Sequence, residues 1–324
     1  MNNADRYISF PLQFIHPDHP VPGDVFIYLD NRFIKYIKAL NILSQLKQDQ
    51  LIVKGVNFLF INRDNEERFL QWHDNIKRDE KRALLKELGN GHEKLINAHL
   101  AIKDDVLQFV TGEISLEIVQ KIIIKTKHLV SKFKNNAGNK QYILRLLTYN
   151  NSVADHSMNV ANLAVYFGLV NSISNKRNLY YLYMGGLLHD YGKTRINREY
   201  LKDPTSEQYI AAIQKHPSLG KGHLFFDGKI ADEILDIIEQ HHERHDGKGY
   251  PKGLKGDQIP ELSKIVSIAN LFDNLVTLDE GPIAERQIRA KETLQNDEGT
   301  YFDAKILEKC LRGLDLVTAK DIAS

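Results

Sequence analysis

The spacing of hydrophobic positions changes along the chain, and the change predicts two parts of different structure. In the first 80 or so residues, short apolar runs at Val25–Leu29 and Val56–Ile61 lie between polar stretches and a Pro22-Gly23 turn, which predicts β-strands. The alternation over Phe10–Phe14 predicts another strand. From Asn65 the apolar residues recur at helical spacing, and this pattern continues to residue 134. The first part is therefore expected to be a small α/β domain that ends in helices.

A polar break at residues 135–139, with asparagines and a glycine, interrupts the helical pattern. We place a domain boundary there, so that the N-terminal domain spans residues 1–136 and the second domain spans 137–324. After the break the apolar positions again recur at helical spacing, and no strand is needed to explain them. The predicted fold class is mainly α, with a C-terminal helical bundle preceded by a smaller α/β domain.

The composition narrows the class of protein. Hydrophobic residues make up 42% and charged residues 26% of the 324 positions, as in ordinary globular proteins. The net charge of +1 provides no broad basic field for a nucleic-acid polymer. No apolar run approaches the ~18 residues that a membrane span needs, so no membrane contact is expected. The single cysteine, Cys310, excludes an internal disulfide and is expected to be a buried apolar residue on a helix of a cytoplasmic protein.

Histidines concentrate in the second domain. Seven of the thirteen lie between positions 156 and 245, and two adjacent pairs stand out, His189-Asp190 and His241-His242. Imidazoles together with a carboxylate that is able to bridge suit iron, manganese or zinc. A metal centre of this type activates water for hydrolysis, most often of a phosphate ester. The candidate metal ligands are His156, His189, Asp190, His216, His241 and His242.

The helical pattern predicts where these ligands lie. His156 falls on the apolar face of a helix, and His189-Asp190 end an apolar helix, where two buried polar groups are costly unless something satisfies them. His216-Pro217 are expected to end the next helix, which residues 205–208 would cap. Because the side chains of His241-His242 point in different directions on a helix, they reach one ion only at a helix end.

These residues stand in a motif run that resembles the HD-GYP domain family. The family carries an HD-x-G-K segment, a later His-Pro and an HHE-x-x-DG-x-GYP segment, which appear here at residues 189–193, 216–217 and 241–251. The stretch at 299–307 is similar to the family's closing helix signature. The resemblance covers about residues 145–312, roughly half of the chain.

The resemblance implies an HD-type helical bundle that binds two or three transition-metal ions, iron or manganese, and hydrolyses cyclic di-GMP. Asp190 would bridge the ions, and a hydroxide between them would attack phosphorus in line. Lys193 would join Asp190 as a catalytic residue by binding a substrate phosphate, and Tyr250 is expected to contact the substrate. Glu243 and Asp246 lie close enough in sequence to orient imidazole N–H groups. The N-terminal domain is expected to be regulatory.

Three positions depart from the family pattern. Ser152 stands where members with a third metal carry a glutamate, which favours two ions here. Asn270 replaces an aspartate ligand of the late helix, and Asp273, on the same helix face, is expected to compensate, so that both are further candidate ligands. Residues 277–282 are acidic where the family has Arg-Pro-Tyr, and an acidic segment is expected to repel a phosphate substrate.

Three functions follow from these observations. The first is a metal-dependent phosphodiesterase of cyclic di-GMP. The second is a weak or inactive domain that acts as a nucleotide receptor or a protein-interaction module, with a signalling protein or a second copy as partner. The third is a phosphohydrolase of another nucleotide, since the recognition residues depart from the family more than the metal ligands do.

Overall fold

The structure is a computed structural model, and it describes most of the chain. The described residues are 6–17, 19–54, 56–111, 116–135, 141–149, 152–201, 203–225, 228–297 and 299–321. They divide into two compact units: the first contains the described residues up to Leu100 and 107–111, and the second contains 101–106 and the described residues from Leu116 onward. This division falls earlier than the predicted boundary, and residues 136–139 of the predicted break lie outside the described residues.

The described elements are four strands and thirteen α-helices. The strands are β1 (Tyr7–Pro11), β2 (Val25–Leu29), β3 (Arg32–Ile37) and β4 (Phe58–Asn62). The helices are α1 (Gln45–Val53), α2 (Glu66–Leu88), α3 (Glu93–Thr111), α4 (Leu116–Asn135), α5 (Gln141–Leu144), α6 (Val153–Val170), α7 (Lys176–Leu188), α8 (Glu207–Gln214), α9 (His216–Phe225), α10 (Asp232–Gln240), α11 (Glu261–Leu278), α12 (Ile283–Gln295) and α13 (Ala304–Asp321).

The first unit contains an antiparallel sheet in the order β1-β4-β2-β3. Asp30 and Asn31 form the β2–β3 hairpin turn with φ values of 47° and 59°, a backbone region that Asp and Asn tolerate. The strand expected over Phe10–Phe14 ends at Pro11, because proline has no N–H to donate to the ladder, and a 3-10 turn follows. One face of the sheet is covered by apolar side chains, and the α/β character expected for this part of the chain is confirmed.

The second unit is a helical bundle built around α6. Nearly every residue of this helix is buried, and it packs against α5, α7, α11 and α13. Helix α7 also packs against α4 and α10, which places α4 in this unit and explains why the division of the chain precedes the predicted boundary. The described residues of this unit contain no strand, and Cys310 is fully buried on α13, both as predicted.

No helix among the described residues is long and apolar enough to cross a membrane.

Candidate metal centre

His156 is positioned by the first turn of α6. The N-terminus of α6 is fixed by Ser152, whose Oγ accepts a hydrogen bond from the backbone N–H of Asp155 at 3.0 Å. The residue that stands in place of the family's extra glutamate is therefore a helix cap. One turn later, His156 presents its imidazole toward the end of α7.

His189 and Asp190 follow the last residue of α7, as predicted, and a 3-10 turn over Tyr191–Arg195 continues the chain. Gly192 brings this turn against the start of α9. A Cβ at this position would overlap the backbone oxygen of His216 and lie 2.6 Å from the nitrogen of Gly220, so only glycine permits the approach. The close contact between these two backbones holds Asp190 beside His216.

His216 begins α9, whereas the sequence pattern predicted that it would end the preceding helix. That helix, α8, starts at the predicted place, where the side chain of Ser206 accepts from the N–H of Tyr209, and it ends at Gln214. Pro217 lies in the first turn of α9, where its missing N–H would have no helical partner in any case. The proline therefore starts a helix here, and the prediction that it stops one is wrong.

His241 and His242 follow the last residue of α10, the helix end at which adjacent imidazoles were expected. The loop after them folds back, because both carboxylate oxygens of Glu243 accept backbone N–H groups, from Lys252 at 2.7 Å and Leu254 at 2.9 Å. This fold places Tyr250 against His242, with stacked rings 4.7 Å apart.

Within the described residues, the hydrogen bonds found for Glu243 and Asp246 go to partners other than imidazoles, and their predicted role in orienting imidazole N–H groups stays a prediction. Glu243 binds the backbone of its own loop, and Asp246 accepts hydrogen bonds from Arg244 and from the N–H of Lys248. Carboxylates that follow a histidine pair in a tight turn are nearest to the turn's own amides, which explains the difference. These two residues shape the loop.

The imidazoles are oriented mainly by backbone carbonyls. Nδ1 of His189 lies 2.7 Å from the oxygen of Gly186, Nδ1 of His216 lies 2.6 Å from Ile213 O, and Nδ1 of His241 lies 2.8 Å from Ile238 O. Because a carbonyl only accepts, each Nδ1 carries a proton, which leaves Nε2, on the inward side, as the nitrogen that is able to bind metal.

The imidazole of His156 is also oriented through its Nδ1, but by a side chain of α11 in place of a backbone carbonyl. Its Nδ1 donates to Oδ2 of Asp273 at 2.6 Å, and its Nε2 lies 3.1 Å from Nε2 of His189. Nε2 of His216 lies 3.2 Å from Nε2 of His241. Two lone pairs at this separation do not form a hydrogen bond, and a cation between them is the group that satisfies both.

The converging atoms form two groups that share Asp190. One group contains His156, His189 and Asp190, and the other contains Asp190, His216, His241 and His242. Within the described residues, Oδ1 of Asp190 is buried without a hydrogen-bond partner, although Nε2 of His216 lies 3.2 Å away. An orphaned carboxylate oxygen facing bare imidazole nitrogens fits a transition metal, so the six predicted ligands meet in a cluster that is able to hold metal.

The electrostatics keep the donors in the states that bind metal. Burial lowers the pKa of His189, moves the pKa of His241 well below its usual value and lowers the pKa of His242 to about 3. Burial alone would raise the pKa of Asp190, but the neighbouring His189 and Lys193 outweigh it and hold that pKa well below its usual value. The lowered pKa values favour neutral rings for His189, His241 and His242 and an ionised Asp190 at physiological pH.

The two further candidate ligands lie on α11, and the structure gives them other partners. Asp273 is fully buried and divides its oxygens between Nδ1 of His156 and Nδ2 of Asn159, so it lies behind an imidazole and outside both groups. Oδ1 of Asn270 accepts a hydrogen bond from Nδ2 of Asn274 at 2.9 Å. Asp273 therefore orients a candidate ligand.

The predicted substrate contacts lie at the edge of the cluster. Nζ of Lys193 is 2.6 Å from Oδ2 of Asp190, and its side chain is 46% exposed. The acidic segment expected to repel phosphate is partly neutralised, because Arg289 pairs with Asp279 at 2.6 Å and lowers the pKa of that carboxyl. Arg286 donates to the carbonyls of Val276 and Asp279.

Comparisons with known proteins agree with this architecture. The family model described as HD domain matches residues 117–306. The response regulator RpfG of Xanthomonas campestris, named a cyclic di-GMP phosphodiesterase, is 33% identical over 133 residues, which are 40% of this chain and 35% of the relative. A 3'3'-cGAMP-specific phosphodiesterase 2 of Vibrio cholerae is 35% identical over 133 residues, 40% of this chain and 25% of the relative.

A solved structure is similar over nearly the whole chain. The HDG"Y"P protein Bd1817 from Bdellovibrio bacteriovorus has a TM-score of 0.61 at 20% identity, with 95% of this chain and 99% of that chain covered. At this identity the likeness shows the fold. The match to the HD domain model includes more than half of the residues, and the chain therefore belongs to the HD domain family. The chain spans only about a third or less of the length of the two relatives.

Sequence reasoning missed the residues that support the ligands. Asn159 donates to Oδ1 of Asp273 at 2.8 Å and is almost completely buried, yet it was not singled out. The sequence does contain an indication of this role. Asn159 is a polar amide three residues after His156 on a largely apolar helix, and a buried amide needs a hydrogen-bond partner. The backbone carbonyls that orient the other imidazoles leave no such signal in the sequence.

Proposed function

We propose that the chain is a metal-dependent phosphodiesterase that hydrolyses cyclic di-GMP. The two ligand groups that share Asp190 are proposed to hold two transition-metal ions, iron or manganese. The observation that carries the proposal is the convergence of bare Nε2 lone pairs on one buried carboxylate, in a chain whose relatives include a named cyclic di-GMP phosphodiesterase. Bound metal in such a centre supplies Lewis acidity and a hydroxide nucleophile at neutral pH.

The chain's own residues then bind and orient the substrate. Lys193 presents a half-exposed ammonium beside Asp190, where it is able to hold a phosphate oxygen as a point charge. Tyr250, fixed against His242 by the loop that Glu243 organises, offers an aromatic wall near the same cluster. The buried carbonyl partners of the histidines keep their rings in one tautomer, so no reorganisation is needed when the substrate arrives.

A second candidate substrate is 3'3'-cGAMP. The relative from Vibrio cholerae named for that substrate is as similar to this chain as the relative named for cyclic di-GMP. Both molecules are cyclic dinucleotides with two phosphodiester groups, so the same cluster suits either of them. Turnover of both substrates on one protein sample separates the two assignments.

The proposal is tested by metal content and turnover on the same sample. Full-length protein is purified anaerobically, its metal is measured by elemental analysis, and cyclic di-GMP hydrolysis is followed with and without a strong chelator. We expect two ions per chain and hydrolysis that the chelator abolishes. Intact cyclic di-GMP after long incubation with protein that holds two ions would contradict the proposal and favour a receptor role.

Asn270→Asp is expected to tighten metal binding and to speed hydrolysis. Asn270 is 95% buried on α11 at the position where the family carries an aspartate ligand, and a carboxylate is a stronger ligand than a neutral amide. Metal retention is measured by competition with a chelator, and turnover is measured on the same preparation. Asn178→Asp, the same change on α7 at a residue that belongs to neither ligand group, controls for the added negative charge.

Equal metal retention and equal rates for the Asn270→Asp variant and the unmodified protein would show that this position is not a ligand. Tight binding of cyclic di-GMP without turnover in the unmodified protein, with turnover gained in the variant, would support the receptor function for the natural chain. The two readouts thus separate a weak enzyme from a nucleotide receptor.

A further inference from the structure

Lys103 on α3 is a lysine largely removed from water. Its side chain is 12% exposed, and Nζ lies 2.5 Å from Oδ1 of Asp155, whose side chain is 4% exposed. A buried ammonium is costly unless it is paired, and this pair belongs to the second unit, since α3 contributes residues 101–106 to it. Asp155 directly precedes the candidate ligand His156 in the first turn of α6.

The ion pair continues into a chain of hydrogen bonds. Oδ1 of Asp155 also accepts from Oγ1 of Thr148 at 2.8 Å. The backbone of Thr148 is bound in both directions by Asn159, whose Oδ1 accepts the Thr148 N–H at 3.0 Å and whose Nδ2 donates to the Thr148 carbonyl at 2.9 Å. A paired amide of this kind fixes the position of Asn159 relative to the segment before α6.

This series of hydrogen bonds ends at the cluster of candidate metal ligands. Nδ2 of Asn159 also donates to Oδ1 of Asp273 at 2.8 Å, and Oδ2 of Asp273 accepts the Nδ1–H of His156 at 2.6 Å. Asp155, Asn159 and Asp273 are almost completely buried and Thr148 is partly buried, so water competes weakly for most of these bonds. The tautomer and the direction of the His156 imidazole therefore depend on a series of contacts that begins at Lys103.

We infer that Lys103 is a positioning residue for His156: by anchoring Asp155 and Thr148 it holds Asn159 and Asp273 in the arrangement that orients the His156 lone pair toward the metal. The inference rests on the proposed function, because it concerns the metal ligands of that same site. It predicts an effect on one ligand group only. His216, His241 and His242 have carbonyl or ring contacts that do not pass through this chain.

The test interrupts this series of hydrogen bonds at two residues, with substitutions made in the full-length protein. Lys103→Met keeps an apolar stem and removes the charge, while Thr148→Val removes one hydroxyl and leaves every charge in place, so it serves if Lys103→Met does not fold. Mn²⁺ binding to metal-stripped protein is measured by competition with a chelator. We expect each variant to weaken binding of one of two ions by about 10-fold, as for other groups that orient metal ligands, and to leave the other ion unaffected.

Lys125→Met is the matched control. Lys125 on α4 pairs with Asp105 of α3 at 2.6 Å, so its removal also loosens the packing of α3 but touches none of the hydrogen bonds that lead to His156. Selective weakening in the two test variants but not in Lys125→Met supports the inference, even if the protein hydrolyses no cyclic di-GMP. Equal Mn²⁺ affinities in all three variants and the unmodified protein would overturn it, even if hydrolysis is observed.

Discussion

Asp190→Asn is expected to remove metal from both ligand groups and to lower the rate of hydrolysis strongly. Asp190 is the member that the groups share: Oδ1 lies 3.2 Å from Nε2 of His216, and Oδ2 lies 3.4 Å from Nε2 of His189. The substitution keeps the size of the side chain but removes the charge that balances two cations. If metal supplies about 4 kcal/mol of transition-state stabilisation, turnover falls about 1,000-fold. Elemental analysis and turnover on the same sample measure both effects.

Asp236→Asn provides the control for this experiment. Asp236 on α10 is also paired with a lysine, Lys221 at 2.8 Å, and belongs to neither ligand group. The variant is expected to retain two ions and full turnover. Two ions in the Asp190→Asn protein would show that the groups do not depend on a shared carboxylate, and the proposed centre would then have to be assigned to other ligands.

The convergence of the six candidate ligands was predictable because metal binding requires particular residue types and because the motif run is long. Adjacent pairs such as His189-Asp190 and His241-His242 are rare on buried helices, and helical spacing placed both at helix ends, where the structure has them. The sequence also indicated Asp190 as the bridging residue, since it is the carboxylate adjacent to the predicted ligands. The two candidate groups have this one residue in common, and its bridging role stays a prediction.

The orientation of the ligands was not predictable in the same way. Backbone carbonyls such as Gly186 O orient three of the imidazoles. Every residue has a backbone carbonyl, so the sequence does not indicate which one will accept the hydrogen bond. Glu243 has the right residue type for orienting an imidazole. Its carboxylate instead accepts the backbone N–H groups of Lys252 and Leu254 in the loop after α10. Its partner is decided by how the loop folds back, and sequence spacing alone does not determine that.

The fold was predictable where periodicity is strong and less so at junctions. The helical character of the second unit and the α/β character of the first follow from apolar spacing. The predicted division between them lies at the glycine-containing polar break at residues 135–139. The packing of α4 against α7, which assigns α4 to the second unit, depends on contacts distant in sequence. Pro217 is compatible with either the end or the first turn of a helix, so the residue type alone does not decide between them, and in the structure it lies in the first turn of α9.

Gly192→Ala is expected to lower the free energy of unfolding by about 3 kcal/mol and to weaken metal binding by the group that contains His216. The added Cβ would overlap the carbonyl oxygen of His216 and approach the nitrogen of Gly220 to 2.6 Å. Both atoms belong to backbone, so no side-chain rotation relieves the overlap, and α9 has to move away from the turn that carries Asp190. Denaturant unfolding of metal-stripped protein measures the first effect, and Mn²⁺ competition measures the second.

Gly222→Ala, in the helix α9 that Gly192 approaches, gives the comparison. A Cβ on Gly222 meets no atom within 4 Å, so alanine is expected to raise the free energy of unfolding by up to about 1 kcal/mol through its higher helix propensity. The two variants add the same methyl group on the two sides of this approach, where it meets backbone atoms at Gly192 and no atom within 4 Å at Gly222. If Gly192→Ala proved as stable as Gly222→Ala and bound Mn²⁺ equally well, the close approach of the 191–195 turn to α9 would not be what holds Asp190 beside His216.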